Sequence, residues 1–186
     1  MSDHITVRPA RADELDTVAE LWDEASRWLG ERGIDQWQYP PHRATIAHGI
    51  AAGECWLVEE DGRVVGTITV DECADEEFWR PEDEPEDALY LHRMVTIREV
   101  AGREIGSALL DWASRRAKSL GKRWVRLDAW RDNPQLHRYY ADRAFEHVRT
   151  VDLPHRRSGG LFQRRAGIVL GRGPLIHEGR QDGSAC

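Results

Sequence analysis

The chain has 186 residues, of which 40% are hydrophobic and 32% are charged, and its formal net charge is −7. This length and composition are typical of one globular domain with a sizeable core. The acidic balance argues against a general nucleic-acid binder, which needs a basic surface, and it leaves room for a cationic or amine-bearing substrate.

The cellular setting is predicted from patterns that the sequence lacks. The first ten residues show no charged leader followed by an apolar segment, and no apolar run approaches the roughly 20 residues of a membrane helix. Cys55, Cys73 and Cys186 do not have CxxC spacing, which argues against zinc and against a disulfide framework. We therefore expect a cytoplasmic protein with no metal, no membrane contact and no nucleic-acid partner.

The first third of the chain predicts the order strand, helix, helix and hairpin. Alternating apolar residues at 5–7 indicate a short strand. Apolar residues at helical spacing predict a first helix, with Asp13 as its N-cap and Gly33 at its end, and a second helix over 42–53. Two further apolar runs flank Asp61-Gly62, which is a strong hairpin signal.

Residues 71–87 carry ten acidic residues against one basic residue, Arg80. With two prolines, this run predicts an exposed loop in which Phe78 and Trp79 form an isolated aromatic pair. Such a loop is usually a solvated surface. Near a substrate entrance, its negative charge would instead attract a protonated amine.

The centre of the chain predicts a strand, a glycine-containing turn and a helix. Residues 88–96 form an apolar run, residues 97–104 form a short turn, and apolar residues at helical spacing extend from Ile105 to Leu120, before Gly121. The start of such a helix presents backbone N–H groups and a positive dipole end. This arrangement favours a bound anion, above all a phosphate.

The last third of the chain predicts another strand over 124–130, and Asn133-Pro134 begins a short helix. Strands over 145–153 and 161–164 follow. From about residue 167 the sequence is glycine-rich and polar, and we expect 167–186 to be a flexible tail.

Three patterns follow one another in this second half. Met94-Val95-Thr96 ends the central strand, residues 101–110 read AGREIGSALL, and residues 133–145 contain Tyr140. In this order they resemble the L-x-V, R-G-x-G-I-G-x-x-L-L and N-x-x-A-x-x-L-Y-x-x-x-G-F patterns of the GNAT superfamily of acyl-CoA-dependent N-acetyltransferases. With the order of the flanking elements, the resemblance extends over roughly residues 3–165.

The resemblance implies an α/β (α+β) fold. We expect a central mixed, mostly antiparallel twisted sheet of about seven strands, flanked by about four helices, in the order β-α-α-β-β-β-α-β-α-β-β. Residues 1–166 would form a single N-acetyltransferase domain.

The resemblance also implies acetyl-CoA as co-substrate. The turn amides would hold its pyrophosphate, and a bulge at Met94-Val95 would free the strand edge for the pantetheine arm. The residues implied in cofactor binding are Met94, Val95, Thr96, Ala101, Gly102, Arg103, Glu104, Ile105, Gly106, Ser107, Asn133 and Tyr140. Ala101, Glu104 and Ala144 depart from the usual family residues. Glu104 would repel a pyrophosphate, and Arg103 would offset that charge.

Tyr140 aligns with the conserved tyrosine of the family, which implies that it donates a proton to the departing thiolate, with Tyr139 in the core. Asn133 is expected to be an N-cap, a cofactor contact or both. His92 on the central strand is a candidate general base for the amine. A packed or solvated His92 without a catalytic role is one alternative. Another is that Glu59, or an acid of residues 71–87, acts as the base through a water molecule.

The resemblance places the acceptor pocket at the first helices and their connection. Trp28, Gln36, Trp37 and Tyr39 would line it there, although burial in the core is the ordinary role of helix tryptophans. The predicted function is acetyl transfer from acetyl-CoA to a primary amine of a small molecule or peptide, in a ternary complex. One alternative is a CoA-binding sensor or regulatory module, and another is that the first helices form a homodimer or partner interface.

Overall fold

A computed structural model describes residues 4–179 of the chain. It contains four α-helices and eight β-strands in the predicted order, with one strand added at the end. The elements are β1 (His4–Pro9), α1 (Leu15–Gly30), α2 (Arg43–Ala51), β2 (Cys55–Glu60), β3 (Arg63–Asp71), β4 (Ala88–Thr96), α3 (Ile105–Ser119), β5 (Trp124–Trp130), α4 (Pro134–Ala141), β6 (Glu146–Thr150), β7 (Ser158–Arg165) and β8 (Leu175–Glu178).

The strands form one open sheet in the order β6-β7-β5-β4-β3-β2-β1-β8. The sheet is mixed, because β8 runs parallel to β1 and β5 runs parallel to β4, whereas β1–β2, β2–β3, β5–β7 and β6–β7 are antiparallel. The predicted α/β architecture is thus confirmed. Over the described range 4–179, no helix has both the length and the apolar character needed to cross a bilayer.

The described part of the chain divides into two compact units. The first comprises residues 4–69, 93–109 and 172–179, and the second comprises residues 70–92 and 110–171. A single domain over 1–166 therefore stays a prediction.

In the first unit, α1 and α2 contact each other. Alternate side chains of β1, Ile5 and Val7, are buried in the core together with the consecutive residues Cys55 to Val58 of β2. α1 begins after a 3₁₀ turn over Ala12–Glu14, so Asp13 is not its N-cap, contrary to the prediction. The Glu14 carboxylate instead accepts two hydrogen bonds from the Arg8 guanidinium, at 2.7 and 2.8 Å. Since Arg8 belongs to β1, its ion pair with Glu14 fixes the start of α1 to that strand.

β8 corrects the prediction of a flexible tail from residue 167. Residues Leu175–Glu178 pair in parallel with β1, from His4 opposite Leu175 to Val7 opposite Glu178. Pairing along the edge of a sheet uses backbone N–H and C=O groups and does not depend on a particular side-chain pattern. A glycine-rich polar segment can therefore form an edge strand although its sequence shows no strand pattern. The remainder of the predicted tail, residues 180–186, lies outside the described residues.

In the second unit, the aromatic pair of the acidic run is buried. Phe78 and Trp79 are 1% and 4% exposed, and they form a core cluster with Ala88, Tyr90 and Leu161. Residues 71–87 are therefore anchored, with two 3₁₀ turns over Pro81–Asp83 and Pro85–Asp87, and are not a simple exposed loop. The charge pattern alone does not indicate that Phe78 and Trp79 pack against residues of the sheet and so fix this segment.

A buried ion pair joins α3 to β7 in the same unit. Arg164 is 1% exposed, and its Nη2 lies 3.1 Å from Oδ1 of Asp111. The other carboxylate oxygen of Asp111 accepts the backbone N–H groups of Leu170 and Gly171, both at 2.9 Å. Arg164 also donates to the carbonyl of Arg143 at 3.1 Å, which holds the end of α4.

Candidate functional site

One candidate region is the end of β4, in the first unit. Val95 is buried, whereas Met94 and Thr96 are half-buried. Arg93 has a φ of +48°, so the regular strand conformation is interrupted one residue before the predicted bulge. The backbone comes close to β3 here, because a Cβ on Gly66 would lie 2.5 Å from the carbonyl oxygen of Val95.

The turn that follows leads into the N-terminus of α3. A 3₁₀ turn over Arg98–Val100 is followed by Gly102 with a φ of +82°, a conformation that favours glycine. The N–H of Ala108 makes the first helical bond, at 3.0 Å from the carbonyl of Glu104. The earlier N–H groups of the helix have no intrahelical acceptor, and they lie at the positive end of the dipole. This is the ordinary geometry of a helix N-terminus, and a phosphate site there stays a prediction.

Glu104 occupies a glycine position of the family pattern and keeps a glycine-like backbone, with a φ of +57°. Its carboxylate accepts a hydrogen bond from the hydroxyl of Ser107. The guanidinium of Arg103 forms a bidentate ion pair with Glu60 of β2, and this contact lowers the pKa of Glu60 and raises that of Arg103. The guanidinium of Arg103 thus binds the Glu60 carboxylate. Compensation of the Glu104 charge by Arg103 stays a prediction.

The residues predicted to line the acceptor pocket do not form one group. Trp37, with a φ of +60°, lies 5.1 Å from the ring of Trp22, and Tyr39 lies 6.3 Å from that ring. Trp28 is instead held between the guanidinium groups of Arg32 and Arg98, each 4.0 Å from its ring centroid. Gln36 is buried. Trp22 is the common neighbour of Trp37 and Tyr39. Its place at helical spacing predicts an ordinary core residue, so the sequence does not indicate a role for it in a pocket.

The first unit also contains a cavity that the sequence did not predict. Its volume is about 10 Å³, which is room for about one water molecule. Its apolar wall consists of Val18, Trp22, Ile46 and Gly49. Its other side consists of Cys55, Thr67, Thr69 and Arg93. Burial raises the pKa of the Cys55 thiol, so the thiol stays neutral and is unsuited to nucleophilic attack.

Another candidate region, in the second unit, is α4. Asn133 is its N-cap, since the side-chain oxygen accepts the N–H of Leu136 at 3.1 Å, and Pro134 occupies the first helical position. The N-cap role is therefore confirmed. A contact between Asn133 and a cofactor stays a prediction.

Tyr140 is positioned by the turn that ends α4. Ala144 adopts a φ of +61°, and the N–H of Phe145 bonds to the carbonyl of Tyr140 at 3.1 Å, which closes a Schellman motif. The rings of Tyr140 and Phe145 then lie 5.6 Å apart, and Phe162 lies 5.9 Å from Tyr140. Ala144 thus adopts a left-handed backbone, which favours glycine, at a position where the family pattern has glycine.

The hydroxyl of Tyr140 is kept protonated, as a hydrogen-bond donor and a weaker acid than a free phenol. Burial raises its pKa, with smaller contributions from Tyr139 and Asp128, so the phenol stays protonated at neutral pH. Within residues 4–179, no hydrogen-bond partner holds this hydroxyl. Tyr139 is half-buried, with the guanidinium of Arg143 3.6 Å from its ring centroid, so it is not the core residue that was predicted.

The candidate base, His92, has a carboxylate partner in the second unit. Its Nε2 lies 3.0 Å from Oδ2 of Asp71, whose Oδ1 accepts the N–H of Cys73 at 2.9 Å. A carboxylate on one ring nitrogen fixes the tautomer and leaves the other nitrogen to accept a proton. In the sequence, Asp71 is one of ten acidic residues within 71–87, so nothing marks it as the partner of His92. The alternative base, Glu59, is bound by Arg8 at 2.6 Å.

A metal centre has no support in the described ranges. Between residues 4 and 179, no group of three or more His, Cys, Asp or Glu side chains is arranged to hold a metal ion.

Comparison with known proteins agrees with this architecture. The sequence profile of the Acetyltransferase (GNAT) family matches residues 16–145. An uncharacterized N-acetyltransferase of Bacillus subtilis, YesJ, is 26% identical over 144 residues, which are 74% of this chain and 79% of YesJ.

Two crystal structures illustrate the likeness of fold. A GNAT-family acetyltransferase from Listeria monocytogenes superposes with a TM-score of 0.74 at 22% identity, over 87% of this chain and 94% of the other. The PaiA N-acetyltransferase from Thermoplasma acidophilum, in complex with coenzyme A, gives 0.67 at 19% identity, over 89% and 99%. With the profile match over most of its length, the chain belongs to the GNAT acetyltransferase family and is an acyltransferase.

Proposed function

We propose that the enzyme transfers an acetyl group from acetyl-CoA to a primary amine of a small molecule or peptide, by direct attack in a ternary complex. The observation that carries the proposal is the turn from Gly102 into α3, where N–H groups without intrahelical acceptors surround a helix N-terminus. The coenzyme A bound by the Thermoplasma relative supports the same donor here.

The residues of this turn fit the donor. Backbone N–H groups over 101–107 would bind the pyrophosphate, except those of Ala101 and Arg103, which already donate to the carbonyls of Arg98 and Val100 at 3.0 and 3.3 Å. The interrupted end of β4 at Met94–Thr96 would bind the pantetheine arm by strand-like hydrogen bonds. The negative charge of the Glu104 carboxylate disfavours an anion here. This carboxylate accepts a hydrogen bond from the Ser107 hydroxyl, which holds it at the first turn of α3.

The chemistry requires two proton movements. The amine nitrogen attacks the thioester carbonyl, the C–S bond breaks as the C–N bond forms, and the nitrogen loses a proton while the thiolate gains one. We assign the first proton to His92, oriented by Asp71, and the second to the protonated phenol of Tyr140. Holding both reactants in place would contribute on the order of 7–11 kcal/mol to lowering the barrier.

The test combines binding and turnover. Calorimetry with CoA measures the donor site, and thiol release with acetyl-CoA across a panel of amines measures transfer. We expect Tyr140→Phe to lower kcat by about 100-fold or more while CoA affinity is kept, because a general acid typically supplies 10² to 10⁴. Tyr139→Phe is the matched control and should retain activity.

Two results would oppose the proposal. Failure of CoA to bind would remove the donor site, and CoA binding without turnover on any amine would support the regulatory module instead. Full activity of Tyr140→Phe would remove Tyr140 from the chemistry and leave the transferase assignment standing. The homodimer is tested separately, since a monomeric mass that does not change on dilution would contradict it.

A further inference from the structure

Side-chain contacts connect the turn before α3 to other elements of the first unit. The backbone N–H groups of Val100, Ala101 and Arg103 donate to carbonyls inside the same turn, so these bonds shape the turn without anchoring it. Glu104 at the end of the turn holds a left-handed backbone, with a φ of +57°. That conformation is unfavourable for an L-residue, so it persists only where the surroundings support it.

Arg98 supplies one supporting contact, to helix α1. Its guanidinium carbon lies 4.0 Å from the ring centroid of Trp28, which is half-buried on α1. A guanidinium over an indole ring is attracted by the negative face of the ring. In the described part of the chain, no carboxylate pairs with Arg98, and the neighbouring Glu99 binds Arg63 instead, at 3.2 Å. The stack on Trp28 is therefore the contact that holds the Arg98 side chain.

Arg103 supplies a second supporting contact, through its bidentate ion pair with Glu60 of β2. The turn is thus attached to α1 by Arg98 and to β2 by Arg103. A site that is ordered before its ligand arrives binds more tightly than one that has to be ordered on binding. Loss of either contact should therefore weaken a ligand held by the turn, even if no group that touches the ligand is removed.

We infer that the stack of Arg98 on Trp28 positions the turn for coenzyme A, so that donor affinity depends on two side chains that do not themselves bind the donor. The inference rests on the proposed function, since it concerns the donor site of the acetyltransferase. It gives Trp28 a role at the donor turn, in place of the acceptor contact that the sequence predicts. Arg98 and Trp28 are positioning residues and not catalytic residues.

Arg32 provides a matched control for this contact. Its guanidinium carbon lies at the same distance of 4.0 Å from the Trp28 ring centroid, and its Nη1 donates to the carbonyl of Trp28 at 3.2 Å. Arg32 follows the end of α1 closely in the chain, so it stacks on Trp28 without reaching the turn. Arg32→Gln therefore removes a similar cation–π contact and leaves the turn attached to α1.

Calorimetric titration of CoA into the full chain measures the donor site. We expect Arg98→Gln and Trp28→Leu each to weaken CoA binding by about two- to thirtyfold, the range that one cation–π contact supplies. The two substitutions combined should cost no more than the larger single effect, because both remove the same contact. Arg98→Lys should retain part of the affinity, and Arg32→Gln should bind CoA like the wild type. Arg98 is exposed, so its substitution should not impair folding.

A second measurement reports the turn itself. Amide hydrogen exchange over residues 98–107, without CoA, should become faster in Arg98→Gln and Trp28→Leu while exchange in β1 and β2 stays the same. Faster exchange throughout the chain would show a loss of global stability and would overturn the positioning role. Equal effects of Arg98→Gln and Arg32→Gln on CoA affinity would overturn it too. So would a loss on Arg98→Gln that Trp28→Leu does not share, because Arg98 would then bind the donor directly.

The outcomes separate this inference from the proposed function. If the wild-type chain does not bind CoA, the proposed donor site is refuted, and a role of the stack in donor binding is refuted with it. If all the variants bind CoA as the wild type does, the inference alone is refuted. With an amine that is turned over, the expected change in Trp28→Leu is a higher KM for acetyl-CoA with an unchanged KM for the amine. The reverse change would support the acceptor contact of Trp28 and refute the inference.

Discussion

Ala144→Gly should stabilise the protein, because Ala144 holds a backbone conformation that only glycine adopts without cost. Its φ of +61° places it in the left-handed region, where it closes the turn that carries Tyr140. The side chain is exposed, so its removal leaves no void. Unlike most glycine substitutions, this one relieves strain and sacrifices no packing.

The magnitude follows from two opposing effects. The left-handed conformation costs an L-residue roughly 1–2 kcal/mol, and the entropy of the unfolded chain costs glycine roughly 0.5–1 kcal/mol more than alanine. The net gain is about 0.5–1 kcal/mol. For a chain of this size it would raise Tm by about 1–4 °C.

The assay is equilibrium unfolding in urea, supported by calorimetry. Ala47→Gly is the matched control, since Ala47 is exposed within helix α2 and the same exchange there should lower stability by about 0.5–1 kcal/mol. Opposite signs for the two variants support the reasoning. A loss at Ala144 as large as that at Ala47 would mean that residue 144 does not hold the left-handed conformation.

The remaining predictions concern a base, acid stability and a buried ion pair. Asp71→Asn should lower kcat about tenfold and leave CoA affinity unchanged, whereas His92→Gln should lower kcat further. Unchanged steady-state rates would remove the pair from the mechanism. The hydrogen bond from Arg8 lowers the pKa of Glu14 to about 2 from 4.5. This pair therefore stabilises the fold above about pH 4.5, by an order of 3 kcal/mol, and the contribution disappears as the pH falls toward 2. Acid unfolding of Glu14→Gln should lack this step, and an identical acid transition would contradict it. Asp111→Ala should cost about 3–5 kcal/mol in urea unfolding, because it leaves a buried guanidinium uncompensated. A loss below 1 kcal/mol would show that water reaches that site.

The sequence by itself determined the features that depend on near neighbours. The element order came from hydrophobic periodicity, the hairpin from Asp61-Gly62, and the N-cap of α4 from Asn133-Pro134. The turn after β4 and the helix of Tyr140 followed from spacing within short segments. Glu104 and Ala144, which depart from the glycines of the family pattern, both adopt a left-handed backbone, the conformation that favours glycine.

Only the tertiary structure decided which distant residues meet. β8 forms because its backbone pairs with the edge of β1. Phe78 and Trp79 are buried because they pack against residues of the sheet. The pairing of His92 with Asp71 joins residues that are 21 positions apart. The cavity at Trp22 is assembled from two helices and three strands. Contacts of this kind depend on register and packing over the whole fold, which local propensity does not encode.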